Sequence, residues 1–183
     1  MTWGGFDPQP ILQGRSLTLR PLLSEDREAL YAAASDPEIW VQHPAHDRHQ
    51  RDIFDSYFDF LIARGTALAV LDRQTDRIIG TSSFYLTDET PPCASIGFTF
   101  LTRAYWGGPT NRELKQLMMA HLFDHFDSVW LHVDPANTRS RKATEKLGAV
   151  YLDNRELDMG LGPVPFSTYR LSREDWERHH GAD

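Results

Sequence analysis

Tyr105-Trp106-Gly107-Gly108-Pro109-Thr110-Asn111-Arg112-Glu113 ends an apolar run of strand character and opens a strongly periodic helix. Paired glycines reach backbone conformations that other residues resist, and the first turn of a helix leaves its N–H groups without intrahelical acceptors. Two readings are open. The junction is an ordinary capped turn, or it cradles an anion such as a pyrophosphate on the main chain of Gly107, Gly108, Thr110, Asn111 and Arg112. Downstream, Leu114, Leu117, Met118, Leu122 and Phe126 recur at helical spacing, and Thr110 with Glu113 fits a capping box. Upstream, Ala94 to Leu101 reads as the strand that feeds the junction.

Working outward, Ile11 to Leu22 alternates as one half-buried strand, with Leu12, Leu17 and Leu19 on one side and Arg15, Thr18 and Arg20 on the other. Ser24 before Glu25-Asp26-Arg27-Glu28 fits an N-cap, and Asp36-Pro37 stops that helix. A second helix over about 48–64 carries Ile53, Phe54, Tyr57, Phe58, Leu61 and Ile62 on a wide apolar face and closes at Gly65. Ala67–Leu71, Ile78–Leu86 and Ala94–Leu101 are strands joined by short links, the last through Pro91-Pro92, so they are expected to be antiparallel neighbours. Beyond the junction helix come a strand at Val129–Val133, a helix from Asn137 to Leu147 ended by Gly148, and strands at Ala149–Leu157 and Pro165–Leu171. This order predicts a mixed α/β (α+β) sheet covered by helices. Residues 1–10 form an irregular lead-in with Trp3 and Phe6 at the surface, and 11–183 form a single domain.

At 183 residues and 40% apolar content, the chain suffices for one core. A net charge of −7 speaks against a sequence-independent nucleic-acid binder, which needs a basic surface, and leans weakly toward a cationic partner such as an amine. One cysteine, Cys93, permits neither an internal disulfide nor a Cys-rich zinc site. With no basic-then-apolar leader in Met1 to Pro10 and no run of 18 apolar residues, the expected protein is soluble, cytoplasmic and off the membrane. His43, His46 and His49 cluster, and His121 stands one helical turn from His125; without three or four converging ligands these are expected to be exposed or packed, with no metal.

A second constellation lies at Asn137-Thr138-Arg139-Ser140. On a helix starting near Asn137, Ser140, Ala143, Thr144 and Leu147 fall on one inward stripe. The Ser140 hydroxyl then either bonds the preceding turn or meets a bound ligand.

Together these segments resemble the GNAT N-acetyltransferase superfamily, and within it the ribosomal-protein N-terminal acetyltransferase-like (RimJ/RimL-like) branch. The likeness rests on Arg20-Pro21-Leu22 after the first strand, Ile96-Gly97-Phe98 on the fourth, Tyr105-Trp106-Gly107, Asn111 with Glu113, Asn137 with Ser140, and Lys146-Leu147-Gly148-Ala149. It spans Leu12 to Leu171. It implies a mostly antiparallel sheet of about seven strands, splayed between strands 4 and 5, with acetyl-coenzyme A as co-substrate in the splay and no metal. By the same resemblance, main-chain groups of Phe100, Leu101 and Thr102 pair with the pantetheine, and the loop from Trp106 through Gly107 and Gly108 to Thr110 and Asn111 holds the pyrophosphate. Asn137 contacts the pantetheine, and Ser140 near the sulfur is the candidate proton donor. The implied activity is acetyl transfer to a primary amine by direct attack.

Three departures from that pattern matter. Gly107-Gly108-Pro109 replaces Gly-x-Gly, so one N–H is missing; Ala104 stands at the head of the loop; and Ser95 stands where related enzymes carry a glutamate that deprotonates the amine. Asp88, Glu89 and His43 are the candidate bases, although each reads more readily as a solvated loop residue, while Trp40 and Tyr57 are placed along the acceptor pocket. Pro109 and Ser95 also fit an alternative, a catalytically degenerate CoA-binding sensor or assembly module. The acceptor stays open between a small-molecule amine and a protein N-terminus, and exposed sheet edges with Trp176 leave room for a homodimer.

Overall fold

Alternation from Ile11 to Leu22 is real, but the chain folds back within it. In the computed structural model, which describes residues 4–87, 89, 93–158 and 162–180, β1 (Leu12–Gln13) and β2 (Leu17–Pro21) form a hairpin that sets Leu12 opposite Leu19. The turn is held from a distance. Glu113 accepts hydrogen bonds from the Ser16 N–H (2.7 Å), the Leu17 N–H (3.2 Å) and the Ser16 hydroxyl. Gly14 is needed for space, because a Cβ there would overlap Glu113 Oε1. Glu113 is therefore not the partner of Thr110 in a capping box; Pro109 occupies the N-cap position, with no side-chain cap.

After β2 a short 3₁₀ turn, Ser24–Asp26, leads into α1 (Arg27–Ala34). Asp26 rather than Ser24 secures this entry, accepting from the Leu23 N–H at 2.9 Å and pairing with Arg20 at 2.7 Å. A second 3₁₀ turn, Pro37–Ile39, starts under the Asp36 carboxylate, which accepts from the Glu38 N–H. α2 (Arg51–Arg64) begins three residues later than its periodicity suggests and ends at Gly65 with φ 60°, a left-handed cap that suits glycine. Phe54, Tyr57, Phe58 and Leu61 are buried, whereas Ile53 faces solvent.

β3 (Ala67–Asp72), β4 (Arg77–Leu86) and β5 (Ala94–Leu101) are antiparallel neighbours, as their short links require, and complete a sheet in the order β1-β2-β3-β4-β5. α3 (Thr110–Phe123), β6 (Ser128–Val133), α4 (Thr138–Lys146), β7 (Val150–Asp158), β8 (Pro163–Ser172) and α5 (Arg173–His180) follow. β6, β8 and β7 form a separate sheet in the order β6-β8-β7. The sheet thus parts between β5 and β6, where the resemblance put the splay, and the described strands number eight because the first is a hairpin.

Polar links cross this seam: the Ser95 hydroxyl donates to the Trp130 carbonyl, and the Tyr85 hydroxyl lies 2.9 Å from His132 Nδ1. One core lies against α3 and joins both sheets through Phe84, Ile96, Met118, Val129 and Tyr169; a second lies under α1 and α2 around Trp40, Phe54, Phe58 and Phe100. Two expectations fail here. Phe6 is buried, edge-on to Phe84 and packed against His121 and Phe126, because the lead-in folds over the α3 side of the core. Trp176 is buried against Phe123, so it is no docking residue. Trp3, Asp88, Pro91 and Pro92 lie outside the described residues. Among the described residues no helix is long and apolar enough to cross a membrane.

Candidate active site at the seam

β5 carries a bulge. Thr81 pairs with Phe100 and Ser83 with Gly97, so Phe98 and Thr99 together face the single residue Ser82. Phe98 adopts φ 53°, a region that costs any residue other than glycine. Gly97 makes room for the Tyr85 ring, which a Cβ would approach to 2.8 Å. Past the bulge, the Thr102 N–H donates to the Ile79 carbonyl (2.8 Å), so its main chain faces β4. Strand alternation then turns the N–H and C=O of Leu101 toward the seam, where the Trp106 indole donates to the Leu101 carbonyl at 2.8 Å. Of Phe100, Leu101 and Thr102, Leu101 is the residue whose main chain borders the opening.

The glycine junction follows directly. Arg103–Tyr105 makes a 3₁₀ turn, Gly107 has φ 71°, and space is open around Gly107 and Gly108. The N–H groups of Gly107, Gly108, Thr110, Asn111 and Arg112 meet no acceptor among the described residues, and Glu113 is the first whose N–H is bonded within the helix, to the Pro109 carbonyl. These amides and the α3 dipole suit an anion.

α4 supplies the opposite wall. Asn137, 7% exposed, is its N-cap, accepting from the Ser140 N–H at 3.1 Å. The half-buried Ser140 hydroxyl has no hydrogen-bond partner among the described residues, so it does not bond back to the preceding turn. Arg139, unforeseen in the sequence, joins the walls: its guanidinium lies 4.0 Å from the centre of the Trp106 ring and donates to the Ile39 carbonyl (3.4 Å). Leu101, Trp106 and the first turn of α4 are thereby brought together.

The candidate bases fare differently. Glu89 accepts from Arg155 at 3.0 Å and faces His132 Nε2 at 3.4 Å, so it belongs to a chain running Arg155, Glu89, His132, Tyr85. Burial lowers the His132 pKa against the opposing pull of Glu89, which keeps the ring neutral near pH 7. His43 is pushed down to about 3 by burial and by the nearby charge of Arg48, and so is far too weak a base for an ammonium. Lys115 on α3 reaches Thr99 of the bulge (3.3 Å), and burial lowers its pKa to about 8. Tyr85 and His132 stand on alternating strands that the sequence does reveal; their meeting across the seam does not follow from periodicity. No group of three or more His, Cys, Asp or Glu that could hold a metal occurs among the described residues, and His121 instead bonds the Asp7 carbonyl (2.7 Å).

Residues 16–150 match the family model for an acetyltransferase (GNAT) domain. The chain belongs to the GNAT acetyltransferase family. This acetyltransferase is 30% identical over 138 residues to an uncharacterized N-acetyltransferase p20 of Bacillus licheniformis, covering 72% of the chain and 77% of that protein. In fold it is similar to a GCN5-related N-acetyltransferase of Brucella melitensis, with a TM-score of 0.79 at 19% identity over 95% of the chain and 83% of the other. The fold is also that of Mycobacterium smegmatis RimJ, solved in complex with CoA-disulfide, with a TM-score of 0.64 at 16% identity over 87% and 83% of the two chains.

Proposed function

We propose that this GNAT protein is an N-acetyltransferase that moves an acetyl group from acetyl-coenzyme A to a primary amine by direct attack, without a covalent enzyme intermediate and without a metal. The observation that carries this reading is the set of unpaired amides at Gly107, Gly108, Thr110, Asn111 and Arg112, which follow directly on the end of β5, where the sheet parts. Those amides suit the pyrophosphate, and Leu101 offers the pantetheine a strand-like partner. Acetyl-coenzyme A supplies an activated thioester, which needs a neutral amine in position rather than a metal. In the transfer the new C–N bond forms as the C–S bond breaks, Ser140 passes its proton to the departing thiolate, and the proton given up by the amine restores the Ser140 hydroxyl. Asn137 orients that hydroxyl by capping the helix turn that bears it. A small-molecule amine or a protein N-terminus is the acceptor class, and the cytoplasm is the setting in which the cofactor and such acceptors meet.

Calorimetry with acetyl-coenzyme A tests the reading. Stoichiometric binding is expected, and no heat at millimolar cofactor would remove it. A second reading, a CoA-binding sensor or assembly module without catalysis, draws on Pro109, which removes one N–H from the cradle, and on Ser95, whose hydroxyl is spent on the Trp130 carbonyl. Cofactor binding with no thiol release across a panel of amines would favour it.

A further inference from the structure

We propose that Arg48 holds an anionic group, a carboxylate or phosphate, on the acceptor amine, so that the substrates of this enzyme carry a negative charge close to the nitrogen that is acetylated. This substrate class rests on the acetyltransferase reading above, but the site stands on its own geometry. Arg48 lies in the turn before α2 and is 8% exposed. Its guanidinium sits 4.0 Å from the centre of the Tyr57 ring and 5.6 Å from that of Trp40. No described carboxylate pairs with it, whereas the better exposed Arg20, Arg27, Arg51, Arg103 and Arg155 each have a carboxylate oxygen within 3.2 Å.

The one polar neighbour does not satisfy it. Arg48 Nη1 lies 3.3 Å from His43 Nε2, but His43 Nδ1 already accepts from the Ala45 N–H at 2.9 Å. A neutral imidazole has a single lone pair, so its proton sits on Nε2 and points at the guanidinium. A buried cation with five donors and no counter-charge is costly, and proteins retain such groups where a ligand completes them. A planar carboxylate or a phosphate matches that fork.

The surroundings tie Arg48 to β5. Tyr57, beneath Arg48, donates its hydroxyl to the Phe98 carbonyl at the β5 bulge (3.3 Å), so the guanidinium is one tyrosine ring away from that bulge. Arg139 is the second cation on this side, also without a carboxylate, and its charge together with that of Arg48 reaches His43. An amine whose charged group rests on Arg48 would therefore place its nitrogen toward the seam. The shared chemistry leaves one competitor, a phosphate of the cofactor itself, since Arg139 also borders the glycine junction.

Acceptor pairs that differ only in the charge, an α-amino acid against its amide, separate these cases when thiol release is measured for wild type, Arg48→Gln and Arg48→Lys. Wild type is expected to favour the acid by about 100-fold in kcat/KM, and Arg48→Gln to bring the ratio within about fivefold of unity with acetyl-coenzyme A affinity unchanged. Arg48→Lys keeps the charge without the fork and should retain a reduced preference. Thermal unfolding with an N-acetyl amino acid against its amide reads the same site without turnover: the acid should raise Tm in wild type and not in Arg48→Gln. Because no ion pair is lost, unliganded Arg48→Gln is expected to melt no lower than wild type by more than the loss of two ring contacts allows. Equal treatment of acid and amide by wild type overturns the proposal, as does an Arg48→Gln that loses cofactor affinity but keeps the preference, which would assign the site to the cofactor phosphate. If wild type binds no acetyl-coenzyme A yet is stabilised by the acid through Arg48, the anion site stands and the acetyltransferase reading falls.

Discussion

Replacing Glu113 by alanine removes the peg that makes a hairpin of the first strand. Three donors converge on this carboxylate, two main-chain N–H groups and one hydroxyl, from residues as much as 97 positions away in sequence. A hydrogen bond to a charged acceptor contributes about 1.5–3 kcal/mol net when its donors stay dry. Ser16 is exposed and water can replace its bonds, whereas the Leu17 N–H is partly buried, so the expected loss is about 2–3 kcal/mol rather than the full sum. For a chain of this size that corresponds to a fall in Tm of roughly 4–12 °C. Urea or thermal unfolding of wild type and Glu113→Ala measures it.

The pH dependence carries a second signature. Burial works to raise the Glu113 pKa, but the Ser16 and Leu17 donors outweigh it and hold the carboxyl below its usual range. A depressed folded pKa contributes stability that is fully present above the unfolded value near 4.5 and disappears as pH falls through the folded value. The gap between wild type and variant should therefore be flat from pH 8 to about 5 and close progressively in more acid solution. A loss under 0.5 kcal/mol, or a gap that does not narrow in acid, would refute the assignment of the hairpin to Glu113.

Other expectations concern the seam. Gly80→Ala would drive a Cβ into the Phe100 carbonyl and to 3.0 Å from Leu101 Cα, so it should cost about 3 kcal/mol and shift the β5 edge; unfolding and acetyl-coenzyme A titration should both register it. Ser140→Ala should lower turnover by about 100-fold with cofactor affinity intact, and an unchanged rate in single-turnover measurements would remove its role as acid. Trp106→Ala loses the bond to the Leu101 carbonyl and the Arg139 stack together; calorimetry should show acetyl-coenzyme A bound about tenfold more weakly.

What the sequence announces and what it conceals divide along physical lines. β3, β4 and β5 are legible because short polar links between apolar runs leave antiparallel pairing as the only economical solution, and Gly65 and Gly148 mark helix ends through their left-handed caps. The hairpin within Ile11 to Leu22 is concealed, since both of its arms share the period of a single strand and the carboxylate that folds them belongs to α3. Phe6 and Trp176 look peripheral by position in the chain, and only tertiary packing shows them inside. The seam is a matter of lateral pairing, which periodicity does not encode, so it was readable through family likeness alone. Arg48 is concealed for a related reason: amid Ala45-His46-Asp47 an arginine reads as solvated, and its burial depends on Trp40 and Tyr57 closing over it. Ser24 shows the limit of local rules, because Asp26, anchored by Arg20, holds the entry to α1 instead.

Phe98 has one more consequence. A chain selected for rigidity alone would place its glycine at position 98, where the torsion is unfavourable, yet glycine stands at 97 and a phenylalanine takes the strained place. The ring leans on Phe60 and lies near Tyr85, so tension in the backbone is offset by aromatic contacts and not relieved. β5 is thus spring-loaded at its middle, and the main chain beside the opening should be among the first in that sheet to exchange its amide hydrogens for deuterium.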